Sequence, residues 1–222
     1  MAFDPSKFSV KTPKSIPVLL LLDVSGSMYG DKIDSLNEAL KDMLDGFKQA
    51  QTLETFIKLS IITFGSSINL HTELKPVSDI EQISPLRADG WTPLGAALSM
   101  AKEMIEDKDI FISGDYRPTI VLLSDGEPND DWINPLNDFV NSGRSSKCDR
   151  LAIAFGKDAD TNMLNTFIDG CENPLLYAED AKDIHKVFKK VTMSVTMRTK
   201  FVNKDQVVKF DDISLDDDPT KY

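Results

Sequence analysis

Residues 17–28 read Pro-Val-Leu-Leu-Leu-Leu-Asp-Val-Ser-Gly-Ser-Met, and this stretch decides the fold. A continuous apolar run that ends in turn residues is typical of a strand buried on both faces of a parallel sheet. Three oxygen-bearing side chains, Asp23, Ser25 and Ser27, follow this run, and Gly26 allows the backbone to bend sharply between the two serines. The sequence therefore predicts a central strand with a polar site at its carboxyl end.

Strands and helices are predicted to alternate on both sides of this stretch. Apolar residues at helical spacing predict helices near residues 33–47, 94–105, 132–140, 162–168 and 181–191. Apolar or alternating runs predict further strands at residues 57–64, 68–74, 119–124, 151–155 and 174–177. The alternation in residues 68–74, after a Gly-Ser-Ser turn, indicates an antiparallel strand at the sheet edge. Because strand–helix alternation requires parallel strands with right-handed crossovers, the predicted fold class is α/β. It is a doubly wound, mostly parallel six-stranded sheet with one antiparallel edge strand and helices on both faces.

The chain of 222 residues is long enough to bury roughly 70% of its unfolded surface, so one large domain is expected. We predict this domain at residues 14–198, after an N-terminal extension at residues 1–13. Residues 199–222 are predicted to be a flexible acidic tail. From residue 203 onward the tail holds six Asp and three Lys, which account for −3 of the net charge of −11.

The overall charge excludes large classes of partner. With 36 Asp and Glu against 25 Lys and Arg, the chain has no basic run for nucleic acid or for an anionic membrane. Its apolar runs are far shorter than the ~20 residues of a membrane span, and its first residues lack a secretory signal pattern. Cys148 and Cys171 have no C-x-x-C spacing, which argues against a zinc site or a disulfide framework and favours two small buried residues. We expect a cytoplasmic location.

The side chains after the first strand suit a metal ion better than they suit catalysis. One carboxylate and two hydroxyls, with no His nearby to activate either serine, make a weak catalytic set, whereas hard oxygens are the ligands of Mg²⁺ and Mn²⁺. A serine-rich turn that caps the next helix is the structural alternative. Ligands of doubly wound sheets bind outside the carboxyl ends of the strands, where this turn is predicted to lie.

Two further segments are predicted to reach the same crevice. Residues 90–95 read Gly-Trp-Thr-Pro-Leu-Gly, in which Thr92 is a sound N-cap and Pro93 a favoured first helical residue. The same position can also present the Thr92 hydroxyl to the crevice beside Ser25. The run of residues 119–124 is followed directly by Asp125 and Gly126, which places a second carboxylate at a strand end.

Together these segments resemble the metal-ion-dependent adhesion site of von Willebrand factor A domains. The resemblance rests on Asp23-x-Ser25-x-Ser27, on Thr92 in a Gly-x-Thr-x-Leu-Gly setting and on the strand-final Asp125-Gly126, and it spans roughly residues 14–198. Trp91 stands where a small residue often precedes the threonine, which alters the rim of the site but not its ligands. The amino-acid sequences of the three motifs are most similar to those of the bacterial TerY-like branch. That branch is linked to tellurium resistance and to stress-response modules that also contain a kinase and a protein phosphatase.

The resemblance implies a function and a ligand set. Ser25 and Ser27 would bind the metal directly, and Thr92 would bind it directly or through water. Asp23 and Asp125 would orient coordinated waters or ligate the ion. The implied ion is Mg²⁺, with Mn²⁺ or Ca²⁺ as alternatives, and its open position is filled by an Asp or Glu of a partner protein. The implied module is not an enzyme.

Two other functions remain open at the level of sequence. A haloacid-dehalogenase-like, Mg²⁺-dependent phosphotransferase would use Asp23 as its nucleophile, but it needs a second acidic residue two positions on, where Ser25 stands. A scaffold with a purely structural metal site is the other alternative. Nucleotide binding is disfavoured because neither G-x-G-x-x-G nor G-x-x-x-x-G-K-[ST] occurs.

Several remaining residues have plainer interpretations. His71 and His185 are predicted to be structural or surface residues, and Asp89, Asp130 and Asp131 are interpreted as solvated loop charges rather than as a ring around the site. The aspartates of the tail are expected to aid solubility or to bind partners. A second hypothesis is that the tail supplies a pseudo-ligand carboxylate to the metal site, since tethering raises effective concentration into the mM range.

Overall fold

The structure, a computed structural model, describes residues 13–200 together with Asn203, Gln206 and Val208. Within these residues six strands alternate with five helices. The strands are β1 (Lys14–Asp23), β2 (Thr55–Phe64), β3 (Ile68–Pro76), β4 (Thr119–Ser124), β5 (Asp149–Phe155) and β6 (Leu176–Ala178). The helices are α1 (Asp31–Gln49), α2 (Leu94–Glu106), α3 (Ile133–Asn141), α4 (Thr161–Ile168) and α5 (Ala181–Met197).

The six strands form one sheet in the order β3-β2-β1-β4-β5-β6. Every neighbouring pair is parallel except β2 and β3, which are antiparallel. The predicted fold class, including the single antiparallel edge strand, is confirmed. β1 lies between β2 and β4, so β2 and β3 lie on one side of β1 while β4, β5 and β6 lie on the other. This reversal of strand order leaves a crevice at the carboxyl ends of β1 and β4.

The apolar run of β1 contributes to two separate cores. Alternate side chains of a strand point to opposite faces of the sheet, and here Leu20 and Leu22 face one core while Leu19 and Leu21 face the other. The first core is closed by α1 and α5, and the second by α2, α3 and α4. A strand buried on both faces therefore needs the uninterrupted apolar run that residues 18–22 supply.

The last part of the fold differs from the predicted bounds. The sixth strand was expected at residues 174–177, but β6 covers Leu176–Ala178. The reason is that the Asn173 amide donates to the Asp149 carboxylate (2.7 Å) and to the Arg150 carbonyl oxygen (2.9 Å), which fixes the chain beside β5 by side-chain bonds before the strand pairing begins. Helix α5 continues to Met197, well past the last apolar position used to predict it.

The predicted extension and tail fall mostly outside the described residues. Of the extension only Pro13 is described, and all six aspartates of the tail lie outside the described part of the chain. No helix in the described part is both long and apolar enough to cross a lipid bilayer.

Candidate metal centre

Asp23 ends β1 and ties it to β4. Its side chain is fully buried, with 0% exposure. One carboxylate oxygen accepts a hydrogen bond from the Ser25 backbone N–H (2.9 Å), and the other accepts from the Ser124 hydroxyl (2.8 Å) at the end of β4. Asp23 therefore shapes the turn that carries the serines and fixes it against the neighbouring strand end. Ser124 was not among the predicted site residues, although its position directly before Asp125 placed it at the same sheet edge.

A chain of hydroxyls links this turn to the second carboxylate. The Ser25 and Ser27 hydroxyl oxygens lie 2.9 Å apart, and the Ser27 hydroxyl donates to Oδ1 of Asp125 over 2.6 Å. Ser25 and Asp125 are almost completely buried, whereas Ser27 is exposed. The structure thus brings four of the five predicted residues together, in a cluster that opens to solvent at Ser27.

Thr92 reaches the cluster through the backbone of its loop. The Gly26 N–H donates to the Gly90 carbonyl oxygen (3.1 Å), which joins the serine turn to the threonine loop. Thr92 exchanges two bonds with Asn129: its carbonyl oxygen accepts from the Asn129 N–H (3.1 Å), and its own N–H donates to the Asn129 side-chain oxygen (3.2 Å). Among the described residues, the Thr92 hydroxyl makes no hydrogen bond to the other four site residues; Thr92 is held near them by its own backbone bonds to Asn129 and by the Gly90–Gly26 contact of its loop.

The predicted helix cap at Thr92 is wrong. Helix α2 begins at Leu94, and Pro93 lies outside it with φ −81° and ψ 69°. The carboxylate of Asp130 instead accepts from the backbone N–H groups of Gly95 and Ala96, at 3.0 Å each, and so satisfies two otherwise unpaired donors of the first turn. Asp130 is therefore not simply a solvated loop charge, and the Thr92 side chain does not serve as the cap of α2.

The serine turn does not cap a helix either. The residue before α1 is Gly30, which makes no side-chain cap hydrogen bond. The structural alternative for Ser25 and Ser27 therefore lacks its central contact, and the hydroxyls face the Asp125 carboxylate instead.

Lys32 is a member of the cluster that sequence analysis missed. Its ammonium lies 2.5 Å from Oδ2 of Asp125 and 5.7 Å from the centre of the Phe155 ring. Lys32 stands in the first turn of α1, where the helix dipole disfavours a cation. The sequence signal for Lys32 was a basic residue at an unfavourable helix position, one residue after Asp31 and five after Ser27, which could have indicated a nearby carboxylate.

The electrostatics of the cluster favour a bound cation. Burial raises the pKa of the Asp23 carboxyl above its ordinary value of 3.8. Hydrogen bonds from Ser25 and Ser124 oppose this shift, while the negative charge of Asp125 adds to it. Two carboxylates held this close repel each other, so positive charge between them relieves both the burial cost and the repulsion.

The donor set fits a small divalent ion. In an octahedron with bonds of about 2.1 Å, adjacent ligand oxygens lie about 3.0 Å apart, and the two serine hydroxyls lie 2.9 Å apart. The described residues contain no cluster of three or more His, Cys, Asp and Glu side chains, so the candidate donors of this centre are the two carboxylates and the hydroxyls. Two carboxylates balance the charge of a divalent ion and neutral hydroxyls do not reduce it further, so such a centre could accept one more anionic ligand.

The other residues considered from sequence do not add a side chain to this cluster; Asp89 adjoins it only through its backbone N–H, which donates to the Val24 carbonyl oxygen over 2.8 Å. His71 lies in β3, where burial lowers the pKa of its imidazole below 6.5, and His185 lies in α5 beside the carboxylates of Glu38 and Asp42. The side chains of Asp89 and Asp131 are exposed. Cys148 is buried, as predicted, whereas Cys171 is only half-buried.

Two clefts flank the sheet at opposite ends. A cleft of about 680 Å³ adjoins the cluster and is lined by Ser27, Lys32, Asp125, Glu127 and Lys157, among others. A cleft of about 780 Å³ lies at the amino ends of the strands, with Arg117, Arg144 and Lys147 balanced by Asp115, Asp149 and Glu172. None of the predicted site residues lines the larger cleft, so the chemistry of the chain points to the smaller one.

Comparison with known families decides the identity of the fold. The family model of the von Willebrand factor type A domain matches residues 18–190. The chain belongs to the von Willebrand factor type A family. Members of this family are metal-site-bearing interaction and adhesion modules and are generally not enzymes.

Individual relatives of this von Willebrand factor A domain are distant. Human inter-alpha-trypsin inhibitor heavy chain H6 is 26% identical over 171 residues, which cover 68% of this chain and only 13% of that protein. The solved von Willebrand factor type A structure from Catenulispora acidiphila is 17% identical with a TM-score of 0.65, covering 83% of this chain and 43% of that one. Proximal thread matrix protein 1 from the mussel byssus, solved with a zinc-occupied adhesion-site motif, is 14% identical with a TM-score of 0.63, covering 83% of this chain and 48% of that one. These structures show a shared fold.

Metal affinity is expected to rise with pH in this von Willebrand factor A domain. As a ligand of Mg²⁺, Asp23 would have to be ionised, and its raised pKa means that protons would compete with the ion below that pKa; above it the affinity should level off. Without metal the folded state holds the Asp23 proton more tightly than the unfolded chain, so its stability should fall as the pH rises from 3.8 through the raised pKa. Isothermal titration with Mg²⁺ at mildly acidic and at neutral pH, in buffers of different ionisation enthalpy, measures the released proton. Affinity and proton release that do not change over this range would contradict the assignment of Asp23.

Proposed function

We propose that this chain is a non-enzymatic protein–protein interaction module that binds a carboxylate of its partner through a divalent metal ion. The observation that carries the proposal is the convergence of Asp23, Ser25, Ser27 and Asp125 in one hydrogen-bonded cluster at the crevice of the sheet. Thr92 completes the set from the adjoining loop. The family is one of metal-site-bearing interaction modules, which agrees with this function.

The five residues would divide the work as follows. Ser25 and Ser27 would bind the ion directly, Thr92 directly or through water, and the two aspartates would ligate it or orient its waters. Mg²⁺ suits this all-oxygen set, and Mn²⁺ or Ca²⁺ are alternative ions. When bound, the ion supplies an electrophilic position for one external carboxylate, because two aspartates balance its charge and the neutral hydroxyls do not reduce it further.

The phosphotransferase alternative fits the structure poorly. A nucleophilic aspartate must present an oxygen to the phosphoryl group of its substrate. Asp23 has 0% exposure, and both of its oxygens already accept hydrogen bonds, from Ser25 and Ser124. The residue two positions on is Ser25, which cannot supply the acidic proton. This arrangement supports a holding role for Asp23.

Exposed aromatic side chains favour a binding role over a purely structural metal site. Tyr29 and Trp91 are 81% and 73% exposed, and both belong to the loops that carry the site residues. Trp and Tyr are the residues most enriched among the energetically dominant contacts of protein interfaces. Because both rings are mostly exposed, they contribute little to the stability of the fold, and contact with a partner is the role that explains their position beside the site.

The amino-acid sequences of the three motifs support a more specific assignment, to a TerY-like bacterial module of tellurium resistance and stress response. The kinase and the protein phosphatase of the same system would be its partners. The cytoplasmic location is proposed from the same resemblance and from the scarcity of cysteine. Pseudo-ligand binding by the acidic tail remains a hypothesis, since the tail aspartates lie outside the described residues.

A capture experiment tests the proposed function. The full chain is used to capture proteins from the cells that produce it, in Mg²⁺, in EDTA and with the Asp125→Ala variant. We expect one or more partners that are retained only by the unchanged chain in Mg²⁺, and whose affinity falls when a single Asp or Glu of the partner is replaced by its amide. Partners that bind equally in EDTA would contradict the metal-dependent mechanism.

Trp91→Ala is expected to weaken partner binding without weakening metal binding. Loss of a central aromatic contact typically costs 2 kcal/mol or more, so we expect roughly a thirtyfold loss of partner affinity. Mg²⁺ affinity, measured by isothermal titration, should stay within about twofold of the unchanged chain. Tyr177→Ala is the matched control, because Tyr177 is 59% exposed but lies in β6. Equal partner affinities for all three proteins would show that the rim does not contact the partner.

A further inference from the structure

Both oxygens of Asp125 already have partners within the chain. Oδ1 accepts from the Ser27 hydroxyl over 2.6 Å, and Oδ2 accepts from the Lys32 ammonium over 2.5 Å. The Asp125 side chain has no exposed surface, whereas the Lys32 side chain is 32% exposed. A metal ion that engages Asp125 therefore meets a carboxylate that is already paired with a cation.

Lys32 is held in this place by more than its ion pair. Its ammonium lies 5.7 Å from the centre of the Phe155 ring, a distance at which a cation is attracted to an aromatic face. At the neighbouring Gly156, an added Cβ would lie 3.4 Å from this ammonium, so the chain passes close to it without a side chain. The lysine thus has a defined position at the wall of the cleft, with part of its side chain open to solvent.

We infer that Lys32 competes with the metal ion for Asp125 and thereby lowers the affinity of the site for divalent cations. This inference rests on the proposed function, since it concerns the same site. A divalent ion held by the Ser27 hydroxyl and Asp125 would lie close to the ammonium, because Ser27 and Lys32 contact the two oxygens of the same carboxylate, and the two positive charges would repel each other. Metal binding must therefore break or lengthen the Lys32–Asp125 bond. The ammonium moves toward the solvent that already covers part of its side chain.

The competition has a consequence for regulation. When the ion leaves, Lys32 keeps the buried Asp125 paired, so the protein does not retain an uncompensated buried charge. The fold then tolerates both the loaded and the unloaded site, and metal occupancy follows the surrounding ion concentration.

Substitution of Lys32 by methionine, which keeps the length of the side chain but removes its charge, tests the inference. We expect Lys32→Met to bind Mg²⁺ roughly tenfold more tightly than the unchanged chain in isothermal titration at low ionic strength. Without metal the variant should melt at a lower temperature, because Asp125 has lost its counter-charge. Saturating Mg²⁺ should raise its melting temperature by more than it raises that of the unchanged chain.

Lys157→Met is the matched control, because Lys157 lines the same cleft and is exposed. This variant should keep the affinity and the Mg²⁺-induced shift of the unchanged chain. Equal or weaker Mg²⁺ binding by Lys32→Met would overturn the inference while leaving the proposed function intact. Failure of the unchanged chain to bind any of Mg²⁺, Mn²⁺ and Ca²⁺ would overturn both. Both outcomes are measured with the metal ion alone. The first is a property of the variant and the second of the unchanged chain, so the two failures can be distinguished.

Discussion

Replacing Asp125 by alanine is expected to reduce Mg²⁺ affinity by more than a hundredfold. The change removes one of only two carboxylates in the cluster and the acceptor of the Ser27 hydroxyl, and it leaves Lys32 as an unpaired positive charge beside the hydroxyls. Loss of a residue that merely supports a metal ligand typically costs 10- to 100-fold, so loss of a carboxylate within the cluster should cost more. Isothermal titration with Mg²⁺ and the Mg²⁺-induced shift of the melting temperature both measure the effect.

Asp131→Ala is the control for this prediction. Asp131 is exposed in the same loop, and its removal changes the net charge by the same amount. We expect a change in Mg²⁺ affinity of less than about threefold, since exposed charges are screened by water and salt. Similar losses in the two variants would mean that the general acidity of the protein, rather than a defined ligand, attracts the ion.

Gly90→Ala is expected to destabilise the fold by roughly 2–5 kcal/mol. Gly90 has a φ of +81°, which a residue with a Cβ adopts only at a cost, and an added Cβ would lie 2.4 Å from backbone atoms of Ser66. The Gly90 carbonyl oxygen also accepts from the Gly26 N–H, so displacement of this loop separates Thr92 from the serine turn. Chemical denaturation should show the loss of stability, and Mg²⁺ titration should show weaker binding.

Gly126→Ala provides the comparison at the same rim. Among the described residues, no atom outside the two chain neighbours lies within 4 Å of an added Cβ at Gly126, and the φ of Gly126 does not lie in the left-handed region. This variant should therefore differ from the unchanged chain by less than about 0.5 kcal/mol. If Gly90→Ala were as stable as Gly126→Ala, the described contact between the threonine loop and Ser66 would be wrong.

The fold was predictable because its decisive features are local in sequence. The apolar run of residues 18–22 can be buried only between two helical layers, and the alternation of strands and helices restricts the sheet to parallel crossovers. The predicted order of elements and the antiparallel edge strand are confirmed by the sheet. The placement of the site residues followed from the same reasoning, because the ends of β1 and β4 must meet at one edge of the sheet.

The contacts that sequence analysis missed all join distant parts of the chain. Asp130 caps α2 from 35 residues away, and Lys32 reaches Asp125 across 93 positions. A local rule assigned the cap to Thr92, because a threonine before a proline has the composition of a helix start. That rule failed since the Asp130 carboxylate, brought in by the β4 loop, satisfies the same backbone donors. Only the three-dimensional arrangement shows which of two suitable side chains fills such a role.

The central claim is that a metal ion at the serine turn offers one position to an external carboxylate. Diffraction from crystals grown with Mn²⁺ and acetate, with anomalous differences recorded at the manganese edge, tests it most directly. The account predicts one Mn²⁺ per chain at the Ser25 and Ser27 hydroxyls, with acetate or an acidic side chain of a neighbouring molecule in its remaining position. The absence of an anomalous peak at the serine turn at saturating Mn²⁺, or an ion whose coordination positions are all filled by side chains of the same chain, would contradict it.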